Sequence, residues 1–220
     1  LFMKPNENTE RLHDMTQLIK RMSAFLLCLM LLLGAYTETA LAAPDWPSGV
    51  SVQAESGIVI DADTGTVLWG QNIHNQYFPA SITKIMTALI VIEKCSLDET
   101  VTFSHNAVFN VEAGSSNAGI NEGDKLSVKD CLYALLLKSA NESANALAEH
   151  VAGSTEAFAD MMNAKAKELG CTDTHFANPS GLNNPEHYTS TYDMALIARA
   201  AFLNPTFEEI DSTTYYKLPP

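Results

Sequence analysis

The apolar stretch from Tyr77 to Ile92 constrains the fold of this chain more than any other part of its sequence. Apolar residues would cover most of the circumference of this stretch as a helix, which predicts a helix buried on nearly all sides. Pro79 suits the first turn of such a helix, because that turn needs no hydrogen bond from its N–H. A helix of this kind needs other elements packed around it, so the rest of the chain must supply them.

Ser81 and Lys84 stand three residues apart in this helix, so their side chains should share one face. The free N–H groups of a first helical turn favour a negative charge that develops beside Ser81. Burial lowers the pKa of a lysine, and a neutral lysine can take the proton of a serine hydroxyl. The pair fits the S-x-x-K pattern of a nucleophilic serine and its base. A helix-start serine beside a snorkelling lysine is the alternative.

The first 42 residues have the pattern of an export signal. Lys20 and Arg21 precede a short apolar run, residues 24–33, and Ala40-Leu41-Ala42 fits an A-x-A cleavage site. The run is too short to span a bilayer comfortably, so a membrane anchor is the weaker interpretation. We therefore expect a signal region over residues 1–42, a catalytic region over residues 43–220, and a location outside the cytoplasm at the cell envelope.

Charge and composition exclude several classes of function. The chain has 13 Lys and Arg against 26 Asp and Glu, and it lacks any basic run, which argues against nucleic acid binding. It contains no H-E-x-x-H and no C-x-x-C, so we expect neither a metal nor a cofactor. The wide spacing of Cys95, Cys131 and Cys171 favours free thiols over a disulfide framework.

Local patterns predict a mixed fold. Two β-rich runs, Gly57–Asp61 and Thr66–Trp69, flank a turn with Gly65 and predict a β-hairpin. Further predictions are a strand at 100–103, a loop at 110–126, and helices after Ser127, at 142–151, at 156–169 and at 191–203, the last one stopped by Asn204-Pro205. The fold class is therefore α/β of the α+β kind, with an antiparallel sheet packed on helices and a helical region beside it.

A nucleophilic serine of this type needs a second hydroxyl to relay a proton and an amide to hold the substrate. An S-x-N element supplies both, and the chain has four: Ser104/Asn106, Ser115/Asn117, Ser139/Asn141 and Ser143/Asn145. Ser139 and Asn141 lie at a break between two apolar helices, where packing can fix the backbone while side chains project into a cleft. We favour this copy, with helix capping by Asn141 as the alternative.

Five segments carry a wider resemblance: Asp61–Gly65, Pro79–Ala88, Gly114–Ser116, Leu135–Ala148 and Thr174–Leu182. Together and in this order they resemble the serine D-alanyl-D-alanine carboxypeptidases, the low-molecular-weight penicillin-binding proteins. The resemblance runs from about Val50 to the end of the sequence and implies a β-lactamase/transpeptidase-like fold. The family's third motif, K-T-G, is absent from these residues. We expect it, and the sheet strands that carry it, C-terminal to Pro220.

The resemblance also implies a reaction. Ser81 would be the nucleophile that attacks the bond between two terminal D-alanines and forms an acyl-enzyme. Lys84 would be the general base, Ser139 a proton relay and Asn141 a substrate ligand. The implied substrate is a peptidoglycan stem peptide ending in D-Ala-D-Ala, with β-lactams as inhibitors and no cofactor. Residues 43–220 without K-T-G are expected to be poorly active, and membrane association would need a segment beyond Pro220.

Three other functions stay open. A class A-type β-lactamase shares the S-x-x-K and S-x-N logic but needs a glutamate to activate the deacylating water. Glu142 is poorly placed for that task, because it begins a helix next to Asn141. The others are a non-catalytic penicillin-binding sensor, usually carried on a membrane segment, and a truncated pseudoenzyme.

Overall fold

The computed structural model describes residues 15–23, 25 and 52–219. The chain divides into two compact units, Leu1–Asp45 and Trp46–Pro220. In the first unit, residues 15–23 form an exposed helix, α1. No helix among the described residues is long and apolar enough to cross a membrane. The predicted signal core at 24–33, apart from Phe25, and the cleavage site at Ala40-Leu41-Ala42 lie outside the described residues.

Strands and helices alternate irregularly along the second unit. Its strands are β1 (Gly57–Ile60), β2 (Val67–Gln71), β3 (Gln76–Tyr77), β4 (Thr100–Thr102), β5 (Lys125–Ser127) and β6 (Thr189–Ser190). Its helices are α2 (Lys84–Lys94), α3 (His105–Phe109), α4 (Val128–Leu137), α5 (Asn141–Ala152), α6 (Thr155–Glu168), α7 (Thr191–Phe202) and α8 (Pro205–Asp211). A 3-10 turn, Ala80–Thr83, leads directly into α2.

The strands pair antiparallel, and within residues 52–219 they form three separate two-stranded sheets. β1 and β2 form the expected hairpin, in which Gly65 has a φ of +75°. β3 pairs with β6, which comes more than 100 residues later, and β4 pairs with β5. The loop expected over residues 110–126 is shorter than predicted, because Lys125 and Leu126 already lie in β5 and pair with β4. The predicted α+β class is confirmed.

Helix α2 is the buried centre of the second unit, as the sequence predicts. Met86, Ala88 and Val91 are each 0% exposed, and α2 packs against every helix from α4 to α8. The start of the helix differs from the expectation, since α-helical structure begins at Lys84 and the residues before it form a 3-10 turn. The physical reason is Ala80, whose φ of +51° is incompatible with an α-helix that continues from Pro79.

Side-chain caps mark the start of several other helices. Ser127 and Asp130 form the predicted capping box of α4, and Ser104 and Ser154 cap α3 and α6 with their side chains. Helix α8 is not predicted from the sequence, where Asn204-Pro205 indicates only that the preceding helix ends. Asn204 instead accepts a hydrogen bond from the Thr206 N–H and caps α8, with the proline in its first turn.

A turn at 178–181 packs on the start of α2 and fixes its position. The Lys84 Nζ donates a hydrogen bond of 2.6 Å to the carbonyl oxygen of Ser180. One helical turn later, the hydroxyl of Thr87 donates to the carbonyl oxygen of Pro179 at 2.7 Å. Two side chains of one helix therefore satisfy two successive carbonyl groups of the turn, which holds the turn and the helix in register.

Gly181 permits the close approach of this turn to the segment before α2. Its φ is +83°, and a Cβ at this position would lie 1.9 Å from the carbonyl oxygen of Ala80 and 2.9 Å from the hydroxyl of Thr83. Backbone at that distance cannot be displaced cheaply, so only glycine fits here.

His187 supports the same segment from behind. Its Nδ1 accepts a hydrogen bond from the Ala177 N–H at 3.0 Å, so the ring proton belongs on Nε2, which lies 2.8 Å from the Thr83 hydroxyl. The side chain is 2% exposed. Burial, assisted by the charge of His175, lowers the pKa of His187 to about 4, so the neutral ring is the stable form in the folded protein.

Replacing Gly181 with alanine should destabilise the fold strongly. The left-handed backbone alone costs a non-glycine residue about 1–2 kcal/mol, and the clash with Ala80 adds to that. Gly170→Ala is the matched control, because Gly170 has a similar φ of +85° but no atom within 4 Å of the place that a Cβ would occupy. Urea unfolding should show a larger loss for Gly181→Ala. Equal losses would show that the close approach does not matter.

The buried neutral His187 should make stability depend on pH. Its folded pKa of about 4 lies below its ordinary value of 6.5, so its contribution is complete above pH 6.5 and is lost as pH falls towards 4. The expected loss is about 3 kcal/mol. His187→Gln keeps hydrogen-bonding groups at this position but has no side chain that titrates between pH 7 and pH 4. Unfolding free energies of the two proteins measured from pH 7 to 4 should converge, and parallel curves would contradict this account.

Candidate active site

Ser81 and Lys84 lie next to one another at the start of α2. The Lys84 Nζ is 3.4 Å from the Ser81 Oγ, within reach of a weak hydrogen bond. The lysine is only 2% exposed, whereas the serine is exposed to solvent. A buried amine therefore faces a hydroxyl that an incoming molecule can reach, which is the arrangement that an activated serine needs.

Burial changes the proton affinity of this amine. It lowers the pKa of Lys84 from 10.5 to about 8, and the negative charge of Glu142 opposes part of that change. A lysine with this pKa is neutral in a substantial fraction of molecules at mildly alkaline pH, so it can accept a proton from Ser81. The hydrogen bond to the carbonyl oxygen of Ser180 holds the amine in place in either protonation state.

The predicted break between α4 and α5 brings Asn141 to the same cleft. Asn141 is the first residue of α5, is 3% exposed, and its N–H donates to the carbonyl oxygen of Ser116 at 3.0 Å. The N-cap of α5 is Ala140, and no side chain caps this helix. The capping alternative for Asn141 is therefore wrong, and its amide is free for another task.

Ser139 occupies an unusual conformation at this break. Its φ is +58°, and its buried Oγ has no hydrogen-bond partner among the described residues. Ala80, beside Ser81, also has a positive φ, so two of the three such non-glycine residues in the described chain border the site. Strain of this kind costs about 1–3 kcal/mol per residue and persists where packing enforces it, often at functional sites.

Ser81 and Asn141 line one open cleft of about 250 Å³. Its remaining walls come from the loop around Gly114-Ser115-Ser116, together with Glu112, and from the turn that contains Ser180. Lys84 and Ser139 are not among its lining residues. The structure thus places Ser81 and Asn141 at the cleft surface, with the Lys84 amine buried behind Ser81.

The other S-x-N copies have different surroundings. Ser104 caps α3 and donates to Glu149, and Asn106 also bonds Glu149. Asn145 donates to the carbonyl oxygens of Ala107 and Asn110, so this copy joins α5 to α3. Only the Ser115 copy also reaches the cleft, through Ser115 itself.

Two contributors are not predicted by the sequence as parts of the site. The role of the Ser180 carbonyl oxygen cannot be predicted from the sequence, because every residue type has a backbone carbonyl. From the sequence, Glu142 is considered only as the glutamate of a possible β-lactamase. In the structure it is 2% exposed and accepts a hydrogen bond of 2.6 Å from the Ala118 N–H. An acidic residue in the first turn of a helix usually indicates a surface position, which hides its burial.

Metal-ligating side chains meet elsewhere in the described chain. Cys95, Glu99 and His150 bring one ligand atom each within 4.8 Å of the others, but none of them lines the cleft. Both oxygens of Glu99 already accept hydrogen bonds, one from the Ser96 N–H and one from His150. Cys95, Cys131 and Cys171 are free thiols, as expected.

Comparison with known proteins identifies the family. A model of the D-alanyl-D-alanine carboxypeptidase family matches residues 38–218. The D-alanyl-D-alanine carboxypeptidase DacF of Bacillus subtilis is 37% identical over 188 residues, which cover 82% of this chain and 47% of that protein. DacD of Escherichia coli is 36% identical over 165 residues, covering 71% of this chain and 42% of that protein. The chain spans about half the length of the curated relatives it matches.

Solved structures agree in fold. The D-alanyl-D-alanine carboxypeptidase DacD from Francisella tularensis superposes with a TM-score of 0.71 at 36% identity, over 80% of this chain and 45% of that chain. Penicillin binding protein 6B from Escherichia coli gives a TM-score of 0.72 at 35% identity, over 76% and 56%. With a matching fold, a buried lysine behind an exposed serine, and a family match across residues 38–218, this chain belongs to the D-alanyl-D-alanine carboxypeptidase family of serine peptidases.

Proposed function

We propose that the protein is a serine D-alanyl-D-alanine carboxypeptidase that removes the terminal D-alanine from peptidoglycan stem peptides. The observation that carries this proposal is the 3.4 Å contact between the Lys84 Nζ and the Ser81 Oγ in a chain of this family. β-Lactams would acylate the same serine, because their reactive amide resembles the bond that is cleaved.

Lys84 acts as the general base in the first half of the reaction. Its neutral amine takes the proton of Ser81 while the Oγ bonds to the carbonyl carbon between the two D-alanines. The negative charge that develops on the carbonyl oxygen is stabilised by the Ser81 N–H, which supplies half of an oxyanion hole. The C–N bond then breaks, D-alanine leaves with a proton, and the remaining peptide stays bound to Ser81 as an ester.

Ser139 and Asn141 take the two supporting roles. The Ser139 hydroxyl makes no hydrogen bond within the described chain, so it is free to pass the proton to the leaving amine. The Asn141 side chain lines the cleft and can hydrogen-bond the substrate backbone. Water then attacks the ester, the peptide is released, and Ser81 recovers its proton.

Ser81→Ala tests the nucleophile in the protein purified from its natural gene. Release of D-alanine from a D-Ala-D-Ala peptide and labelling with a fluorescent penicillin should both fall to background. Ser212→Ala, at an exposed serine after α8, is the control and should keep both activities. If Ser81→Ala keeps even a tenth of the rate, Ser81 is not the nucleophile.

The same assay separates the other functions. Stoichiometric labelling of Ser81 without D-alanine release would indicate a penicillin-binding sensor, and rapid turnover of penicillin would indicate a β-lactamase. No labelling of the wild-type protein would indicate a pseudoenzyme. Glu142 does not line the cleft, so the structure does not support Glu142 as the glutamate that a class A-type β-lactamase requires. Glu112 does line the cleft, and the penicillin turnover assay tests it.

We also propose that the protein is exported and cleaved after Ala42. Peptidoglycan lies outside the cytoplasm, and the charge and apolar pattern of residues 20–42 is that of a signal peptide. N-terminal sequencing of the exported protein should begin at Ala43. Protein that keeps residues 24–33 would instead support a membrane-tethered form.

A further inference from the structure

Glu142 is a buried acid that the reaction described above does not use. It lies in the first turn of α5, next to Asn141, and its side chain is 2% exposed. A buried carboxylate is costly unless hydrogen bonds or opposite charges compensate for the lost water. The surroundings of Glu142 must therefore provide that compensation.

One carboxylate oxygen fixes a wall of the cleft. The Glu142 Oε1 accepts a hydrogen bond of 2.6 Å from the Ala118 N–H. Nearby, the carbonyl oxygen of Ser116 accepts a hydrogen bond of 3.0 Å from the Asn141 N–H. These two hydrogen bonds attach the 112–118 loop to the start of α5. Because Ser115 and Ser116 line the same cleft as Ser81, the attachment fixes part of the cleft wall.

The other carboxylate oxygen faces the buried interior. The Oε2 has no hydrogen-bond partner within the described chain, and no ion pair there joins Glu142 to Lys84. The charge of Glu142 nevertheless raises the pKa of Lys84 against the effect of burial. Glu112 lines the cleft itself, but it is exposed and its charge is therefore screened by solvent.

We propose that Glu142 is a positioning residue of this site, which fastens the 112–118 loop to the start of α5 and supplies the counter-charge for Lys84. The catalytic consequence rests on the function proposed above, whereas the two physical roles do not. Glu142 touches neither Ser81 nor the cleft surface, so it acts through Lys84 and through the loop.

A counter-charge is needed because Lys84 alternates between two states. Each time it takes the proton of Ser81, a positive charge appears at a side chain that is 2% exposed. Without a nearby negative charge, the buried ammonium would be unfavourable and would tend to return the proton before the bond to the substrate forms. A fixed carboxylate whose charge acts on the amine, as that of Glu142 does, favours the protonated state without neutralising the amine permanently.

Glu142→Gln tests the counter-charge, because glutamine keeps the shape and an acceptor for the Ala118 N–H but removes the charge. NMR titration of 13C-labelled lysine side chains, with Lys84→Met to assign the signal, reports the Lys84 pKa directly. The wild-type midpoint should lie at about 8 and should fall by about one unit in Glu142→Gln. An unchanged midpoint would overturn the counter-charge role.

Glu149→Gln is the matched control for this titration. Glu149 lies on the same helix and also accepts hydrogen bonds from another segment, here from Ser104 and Asn106, but it does not act on Lys84. This substitution should leave the Lys84 midpoint unchanged. An equal shift in both variants would show a general effect of charge and would overturn the specific role of Glu142.

Glu142→Ala tests the attachment of the loop. Hydrogen exchange at the Ala118 amide should become at least about tenfold faster in Glu142→Ala, because its acceptor is gone, and should change little in Glu142→Gln. Unchanged exchange in Glu142→Ala would overturn this role. If Glu142→Ala does not fold, Glu142→Asp decides it, because the shorter side chain withdraws the acceptor from the Ala118 N–H: faster exchange at Ala118 alone supports the attachment, and no local change contradicts it.

Penicillin labelling connects these roles to the reaction. The pH midpoint of labelling should follow the Lys84 midpoint and move to lower pH in Glu142→Gln, a shift that a merely structural residue would not cause. A wild-type protein that shows the Lys84 shift but does not label would overturn the proposed function and keep the role of Glu142. If the protein labels but the pH midpoint of labelling is the same in Glu142→Gln and the wild type, the proposed function stands and the role of Glu142 in the reaction is overturned.

Discussion

The hydrogen bond from the Lys84 amine to the carbonyl oxygen of Ser180 is the interaction on which the site depends. At 2.6 Å it joins the central helix to a turn 96 residues later in the chain. The bond compensates for the burial of the amine, holds it behind Ser81, and fixes the turn that forms one side of the cleft. An exposed lysine at the same position would keep an ordinary pKa and would be a poor base.

Packing around α2 makes this arrangement tolerable for the fold. The helix lies against α4 to α8, so the apolar contacts of most of the second unit meet on it. That stability offsets the strained backbone at Ala80 and Ser139 and the buried polar groups near them. Helices thus hold Lys84 and Asn141 in place, while strained backbone at Ala80 and Ser139 lies next to Ser81 and at the break before α5.

Local chemistry explains which features could be read from the sequence. The hairpin around Gly65, the capping box of Ser127 and the spacing of Ser81 and Lys84 depend on residues close together in the chain. Patterns of this kind predict structure because neighbouring residues satisfy one another. The helix break before Asn141 is predictable for a similar reason, because one apolar run ends at Leu137 and the next helical run begins at Asn141.

Features that depend on contacts between distant residues are not predicted correctly by the sequence. The 3-10 turn before α2 begins at Ala80, whose backbone is in the left-handed region. Ala80 lies against Gly181, which is about 100 residues later in the chain. The burial of Glu142 depends on the loop that folds over it, and the role of Ser180 rests on a backbone atom. None of these contacts can be recognised in the sequence from a residue type or a periodic spacing.

The long separation between Lys84 and Ser180 has a consequence for how the protein folds. A ribosome adds about 5–20 residues per second, so the turn follows the helix by roughly 5–20 s. Until it arrives, the Lys84 amine is hydrated and fully protonated at neutral pH, and Ser81 is an ordinary serine. The buried amine behind Ser81 can therefore form only after the turn at Ser180 has been synthesised and has packed on the helix.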